Sequence, residues 1–245
     1  MITGGSRGVG AETCLELATR GCDVAFTYRN KASRAEGIAK AARTLGVQAL
    51  PIQADITDVA QINEFAARLR DWSGSLDLLV LNASGGLERD LLAKDPSYPM
   101  RVNRDAQLLV LEALVPLLAG AATVVFVTSH WAHLYGEVEQ LPAYEPVAAS
   151  KHAGEAALRA RQSDLGARGI RLIVVTGDLV EGTITAKLLE RKAARSGTTR
   201  AVHQGTAISP REMAVAIADA AFDKALPSGH TVVVGGALDS VPRSV

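Results

Sequence analysis

Short apolar runs and segments with helical periodicity alternate along the whole chain. The apolar runs are rich in β-branched and aliphatic residues and cover residues 24–28, 49–53, 76–81, 123–128, 171–175 and 230–234. The segments that repeat apolar residues every three or four positions cover residues 9–20, 32–45, 59–72, 103–118, 146–165 and 210–224. Short buried strands that alternate with helices are typical of a parallel sheet covered on both faces. We therefore predict an α/β fold built on one doubly wound parallel sheet.

The chain shows no internal repeat, low-complexity tract or linker. Its 245 residues fit one α/β domain, so we predict a single domain over residues 1–245. The least regular part is residues 181–207, which contains several glycines and basic residues. Such a segment is either a lid over a substrate pocket or a surface loop.

Two segments need a separate interpretation. The first strand is nearly missing, because Met1-Ile2 leads directly into Thr3-Gly4, whereas strands usually run about five residues; either it is trimmed or the numbering omits its start. Residues 108–127 are long and apolar enough to cross a bilayer, with Glu112 as their one charge. Because Pro116 and Gly120 divide this stretch, we predict a buried helix followed by a buried strand.

Composition narrows the class of protein. Lys plus Arg and Asp plus Glu both number 26, so the formal net charge is zero. This balance argues against a nucleic-acid partner and against a polybasic membrane anchor. Cys14 and Cys22 are too few for a disulfide framework or a cysteine-based zinc site, and no metal is expected. Without a signal-peptide pattern, the expected location is the cytoplasm.

A glycine-rich turn, Thr3-Gly4-Gly5-Ser6-Arg7-Gly8-Val9-Gly10, joins the strand stub to the first helix. Glycines allow the backbone to approach a pyrophosphate, and the helix N-terminus directs N–H groups at it. This placement predicts a dinucleotide-binding Rossmann fold. The residues expected to contact the phosphates are Gly4, Ser6, Arg7, Gly8, Val9 and Gly10. No acidic residue ends the second strand, so Arg29 and Arg7 favour the 2′-phosphate of NADP(H) over NAD(H).

Further motifs follow in order along nearly the whole chain: Ala54-Asp55-Ile56, Leu81-Asn82-Ala83-Ser84-Gly85, Asn103, Ser129, Lys151, Thr176-Gly177 and Thr183. Together with the glycine loop they resemble the short-chain dehydrogenase/reductase family. The resemblance implies cofactor contacts from Asp55, Ile56, Asn82, Ala83, Ser84, Lys151, Gly177 and Thr183. It also implies that Ser129 binds the substrate oxygen, that Lys151 binds the ribose, and that Asn103 holds a water in a proton relay.

The chain departs from the family at the proton donor. The family's usual motif is Tyr-x-x-x-Lys, and four residues before Lys151 stands Val147, which cannot transfer a proton. Tyr144 gives Tyr-x6-Lys, a spacing similar to that of the enoyl-ACP reductases. Pro146 suits a first helical turn, so Tyr144 would stand before the helix, where the chain can direct it over the site.

Other donors stay open at this point. His130 and His133 follow Ser129 and titrate near neutral pH, and a water or a phenol on the substrate itself, as in aromatic polyketides, is a further hypothesis. Residues 130–141 form a longer segment than is common in the family and are expected to rim the substrate pocket.

The resemblance implies an NADP(H)-dependent oxidoreductase that reduces a ketone of a small molecule or oxidises the corresponding alcohol. Candidate substrates are polyketides and other secondary metabolites. An enoyl reductase and a catalytically inactive NADP-binding protein are the alternatives. A homodimer or homotetramer is expected from the family. The sequence leaves the substrate and the direction of the reaction undetermined.

Overall fold

The computed structural model describes residues 1–140, 142–182, 186, 207–236 and 238, without the side chain of Arg89. Thr183 and most of residues 181–207, for which a lid was an alternative, lie outside the described residues. The strands of the described part are β1 (Val24–Tyr28), β2 (Ala49–Gln53), β3 (Leu76–Leu81), β4 (Leu118–Ser129), β5 (Arg171–Gly177) and β6 (Thr231–Val234). All their pairings are parallel, in the orders β2–β1 and β3–β4–β5–β6.

The short N-terminal segment joins these two groups of strands. Ile2 forms parallel bridges with Phe26 of β1 and Val80 of β3, and the N–H of Ile2 donates to the Ala25 carbonyl at 2.9 Å. The stub therefore lies between β1 and β3 and connects the two groups of strands. The chain order reverses at this stub, and such a switch point is where parallel α/β sheets bind their ligands.

Helices cover both faces of the sheet. They are α1 (Gly8–Thr19), α2 (Ala32–Thr44), α3 (Val59–Ser73), α4 (Arg89–Lys94), α5 (Tyr98–Met100), α6 (Ala106–Leu114), α7 (His130–His133), α8 (Glu145–Arg159), α9 (Gln162–Ala167) and α10 (Pro210–Phe222). One apolar core contains residues of α1, α2 and α10, and another contains residues of α3, α6, α8 and α9. The predicted doubly wound parallel sheet is therefore confirmed. No helix of the described part is long and apolar enough to cross a membrane.

The predicted helix over residues 103–118 is wrong in its bounds. A π-helical turn occupies Arg101–Asp105, α6 ends at Leu114, and a 3₁₀ turn, Val115–Leu117, leads into β4. The π turn lies where α8 approaches most closely, because a Cβ built on Gly154 would stand 2.1 Å from the Asn103 carbonyl oxygen. Backbone therefore packs on backbone at this crossing, which fixes the helix that carries Lys151.

The helix that was predicted over residues 146–165 is also interrupted. It divides into α8 and α9 around Ala160 and Arg161. Helix α8 begins at Glu145, with Pro146 in its first turn and Tyr144 as its N-cap residue. Tyr144 therefore stands just outside the helix, as the position of the proline predicts.

Candidate active site

The glycine loop is held against β1 and β3 by backbone and side-chain hydrogen bonds. The N–H of Gly5 donates to the Thr27 carbonyl at 2.9 Å, and the side-chain amide of Asn82 donates to the Thr3 carbonyl at 3.0 Å. The Thr3 hydroxyl accepts from the N–H of Asn82 at 2.9 Å. These contacts connect two of the predicted cofactor motifs, the glycine loop and the segment after β3.

Two glycines of the loop cannot be replaced without strain. Gly4 has a φ of +73°, which disfavours other residues. A Cβ on Gly10 would stand 2.3 Å from the Gly4 carbonyl oxygen and 2.6 Å from Asn82 Nδ2. The chain thus brings the N-terminus of α1 close to the loop, and the free N–H groups of that first turn are suited to an anion.

A cleft of about 510 Å³ opens at this end of the sheet, a volume in the usual range for small-molecule sites. The predicted cofactor residues that line it are Gly4, Ser6, Arg7, Gly8, Val9, Gly10, Arg29, Asp55, Ile56, Asn82, Ala83 and Ser84. The structure therefore brings residues from four separate motifs to one cleft. Gly177 is instead the register partner of Ser129 in the sheet, and it is not among the described lining of the cleft.

Sequence reasoning missed two basic residues of this cleft. Lys31 and Arg34 line it together with Arg7 and Arg29, whereas Asp55 and Glu88 are the acids among its described lining. The missed signal is the cluster of basic residues that directly follows β1. The excess of positive charge fits a dinucleotide that carries an additional phosphate.

Arg29 is already engaged by neighbouring side chains. Its Nη1 donates to the Tyr98 hydroxyl at 2.5 Å, and its Nη2 lies 3.8 Å from Glu88 Oε1. Burial raises the pKa of Tyr98, so this hydroxyl stays protonated at neutral pH. A phosphate that recruits Arg29 would compete with Glu88 for the same guanidinium.

A smaller cavity of about 130 Å³ adjoins the cleft, since Val9, Asn82 and Ser84 line both. Three predicted catalytic residues, Ser129, Tyr144 and Lys151, line this cavity. Its other described walls are Val127, Thr128, Trp131, Asp178, Leu179, Val180 and Met213.

Tyr144 reaches Ser129 from the N-terminus of α8. Their hydroxyl oxygens lie 3.0 Å apart, within hydrogen-bond distance. Trp131 contacts the Tyr144 ring edge-on, with 6.4 Å between ring centroids. Burial raises the pKa of Tyr144, against a smaller lowering effect of the Ser129 hydrogen bond. The hydroxyl is therefore a proton donor rather than a phenolate in the free protein.

Lys151 lies in the wall of the same cavity. Its Nζ donates to the Val127 carbonyl at 3.1 Å. Burial lowers the pKa of Lys151 to about 8, and the negative charge of Glu155 opposes this effect. The ammonium group is therefore close to titration under ordinary assay conditions.

This pKa predicts a falling limb in the pH profile. Lys151 carries its charge below about pH 8 and loses it above, so kcat/KM, which reports on the free enzyme, should fall as pH rises through about 8. Lys151→Arg keeps the charge and should remove that limb even if its overall rate is low. A wild-type profile that stays flat to about pH 9.5 would contradict the assignment of the falling limb to Lys151.

Asn103 is buried and engaged by protein groups. Its side-chain N–H groups donate to the Gly85 carbonyl and to Ser150 Oγ, both at 2.9 Å. Its Oδ1 accepts from Ser84 Oγ at 2.9 Å. These bonds attach the π turn to the loop after β3 and to α8, and neither cavity counts Asn103 among its described lining.

The two histidines after Ser129 point away from the smaller cavity. His130 is fully buried, with Nδ1 3.0 Å from Thr176 Oγ1 and Nε2 3.0 Å from the Gly236 carbonyl, and burial lowers its pKa. His133 Nδ1 lies 2.9 Å from Glu155 Oε1. Both rings are thus bound to partners outside the described lining of the cavity.

Val147 stands at the family's usual tyrosine position, and it lines the larger cleft. Of the segment 130–141, Trp131 forms part of the smaller cavity's wall, whereas Glu137 and Glu139 are exposed. No group of three or more potential metal ligands occurs among the residues described here.

The model of the short chain dehydrogenase family matches residues 1–193. The chain belongs to this family. Its resemblance to the short-chain dehydrogenases, predicted from the motifs, is thereby confirmed, and the family places it among the NAD(P)-dependent oxidoreductases. Its fold agrees with solved members of the family.

Individual relatives are similar over different shares of the chain. A hydroxynaphthalene reductase of Aspergillus fumigatus is 32% identical over 174 residues, which cover 69% of this chain and 61% of that protein. The chain thus spans less than two thirds of the length of that curated relative. A short chain dehydrogenase from Burkholderia cenocepacia in complex with NADP has a TM-score of 0.80 and 28% identity, covering 97% of this chain and 96% of that one. A blue fluorescent protein from a metagenomic library, in complex with NADPH, has a TM-score of 0.77 and 27% identity over 96% of this chain and 95% of that one.

Proposed function

We propose that the protein is an NADPH-dependent ketone reductase in which Tyr144 is the displaced proton donor. The observation that carries this proposal is the 3.0 Å separation of the Tyr144 and Ser129 hydroxyl oxygens. A protonated phenol beside a second hydroxyl can hold a carbonyl oxygen and protonate it. Val147 provides no proton, and both histidines are bound elsewhere.

In this mechanism each group of the chain has one task. The glycine loop and the basic residues of the cleft would hold NADPH, which when bound would supply a hydride to the carbonyl carbon. Ser129 donates a hydrogen bond to the carbonyl oxygen and thereby stabilises its developing negative charge. Tyr144 delivers the proton to that oxygen, and the Lys151 ammonium, at the same cavity, favours the charge that Tyr144 acquires. Asn103 supports the site by fixing α8 and the loop after β3.

The preference for NADPH rests on the basic residues of the cleft. Arg29, Lys31 and Arg34 lie around the N-terminus of α2, Arg7 is the N-cap residue of α1, and all four line the cleft. Each can form charge-assisted hydrogen bonds with a 2′-phosphate. The complexes of two structural relatives with NADP and NADPH agree with this preference.

Replacing Arg34 by glutamine should lower kcat/KM for NADPH about ten- to a hundredfold, because a charge-assisted hydrogen bond to the phosphate contributes about 1.5–3 kcal/mol. The value for NADH should stay within twofold. Arg43→Gln is the matched control, since Arg43 lies at the other end of α2 and pairs with Glu36 at 2.6 Å. Equal losses with both cofactors in Arg34→Gln would count against a 2′-phosphate contact.

For the substrate we propose a bicyclic aromatic ketone of the polyketide type. The hydroxynaphthalene reductase similarity supports this class, and Trp131 gives the smaller cavity an aromatic wall. Since Tyr144 already offers a proton, a phenol next to the ketone is not needed as a donor. Matched ketones with and without that phenol should therefore react at similar rates.

The test is turnover with NADPH that carries deuterium at the transferable position. A ketone reductase yields an alcohol with deuterium on the carbinol carbon. A saturated ketone from an enone substrate, with no alcohol from any ketone, would instead identify an enoyl reductase. Binding of NADPH without turnover of either class would identify an inactive NADP-binding protein. The homodimer or homotetramer stays a prediction, which light scattering of the full chain can address.

A further inference from the structure

Asp178 is a buried carboxylate that the proposed mechanism does not use. It follows Gly177, the last residue of β5, and only 9% of its surface is exposed. Its Oδ1 accepts a hydrogen bond from the N–H of Leu179 at 2.7 Å, and its own N–H donates to the Val234 carbonyl at 3.1 Å. These bonds fix the carboxylate in the wall of the smaller cavity.

The cavity around Asp178 has few charges. Of the residues that the structure describes in its wall, only Asp178 is a carboxylic acid and only Lys151 is basic, and Tyr144 adds a phenol. Val127, Leu179 and Met213 provide apolar surface, and charges act more strongly where water is excluded. The buried Thr128 Oγ1, also in this wall, has no hydrogen-bond partner among the described residues. The cavity is therefore built for a ligand group that is partly polar.

The nicotinamide would have to enter this cavity to react beside Ser129 and Tyr144. The cavity adjoins the large cleft at Val9, Asn82 and Ser84, so a dinucleotide in the cleft can reach it. The reduced nicotinamide is neutral, whereas the oxidised ring carries a positive charge after it has given up the hydride. A fixed carboxylate in the same cavity stabilises only the oxidised ring.

We propose that Asp178 tunes the cofactor by stabilising its oxidised, cationic form and so favours hydride donation to the substrate. This inference rests on the proposed function, because it requires that the cofactor binds with its nicotinamide in the smaller cavity. The Lys151 ammonium in the same wall acts in the opposite direction to Asp178, because it disfavours a cationic ring.

The test compares the affinities of NADP⁺ and NADPH for the full chain by calorimetry, with no substrate present. Asp178→Asn keeps the shape of the side chain and an oxygen for the Leu179 N–H, but it removes the charge. We expect the ratio of the dissociation constants of NADP⁺ and NADPH to rise about tenfold, which corresponds to about 1.4 kcal/mol. Asp178→Ser provides a second uncharged variant if the asparagine variant does not fold.

Glu88→Gln is the matched control. It removes a carboxylate from the large cleft, and it should change both affinities by the same factor. An unchanged ratio in an Asp178 variant that still binds both cofactors would overturn the inference and leave the proposed function intact. An equal rise of the ratio in Glu88→Gln would also overturn it, since the effect would then not belong to Asp178. If the wild-type chain binds neither cofactor, the proposed function itself fails.

Discussion

Replacing Tyr144 by phenylalanine is expected to lower kcat for ketone reduction by about 10²- to 10⁴-fold, the usual contribution of a positioned general acid. The phenylalanine ring keeps the edge-on contact with Trp131, so only the hydroxyl next to Ser129 is lost. The dissociation constant of NADPH should change little, because the glycine loop and most of the predicted cofactor residues line the larger cleft, which Tyr144 does not line. Steady-state kinetics and a cofactor titration on the same preparation measure both quantities.

Tyr135 provides the matched control for this substitution. Its ring packs on His152 at 5.8 Å between centroids, outside the described lining of both cavities. Tyr135→Phe should retain wild-type kcat. If Tyr144→Phe loses less than about tenfold, the proton comes from water or the substrate. The rates of matched ketones with and without a neighbouring phenol then distinguish a proton from the substrate from a proton from water.

The order of the helices and strands could be predicted because the sequence features that indicate them are local. The β-branched run of β4 predicts a strand at its own position, and the proline before Val147 predicts the start of a helix. Both predictions agree with the structure. The position of the strand stub at Ile2 depends instead on contacts with residues far along the chain. Its two neighbours, Phe26 and Val80, are distant in sequence, so its place in the sheet is set by long-range pairing.

The error in the helix predicted over residues 103–118 has its physical cause in a contact between distant segments. The π turn at Asn103 lies against Gly154, and neither segment alone predicts an interruption of the helix. The motif spacing led to Lys151 and Ser129, but it could not show that Tyr144 points at Ser129 rather than away.

The missed site residues had weaker signals. Lys31 and Arg34 lie in the cluster of basic residues after β1, and the cleft shows that this cluster faces inward. Asp178 directly follows the Thr176-Gly177 motif, where sequence alone gave no reason to expect a buried carboxylate. Burial and direction of a side chain are tertiary properties, and they decide which polar residues belong to the site.

The close crossing of α8 and the π turn gives the second large expected effect. Gly154→Ala places a Cβ 2.1 Å from the Asn103 carbonyl oxygen and 3.4 Å from Arg104 Cα. Because backbone atoms cannot rotate away as a side chain can, the two helices must separate. We expect a loss of about 1–3 kcal/mol in the free energy of unfolding, as for other overpacked cores, measured by urea denaturation.

Gly37→Ala separates this packing effect from helix propensity. Gly37 lies inside α2, and a Cβ at that position meets nothing within 4 Å. Alanine should therefore stabilise the protein there by about 0.5–1 kcal/mol, the intrinsic helical advantage of alanine over glycine. The same advantage acts at Gly154, so a net loss at that position must come from steric conflict, and the full steric cost exceeds the measured loss by that advantage. If Gly154→Ala were as stable as Gly37→Ala, the close approach of α8 to the π turn would not exist in solution.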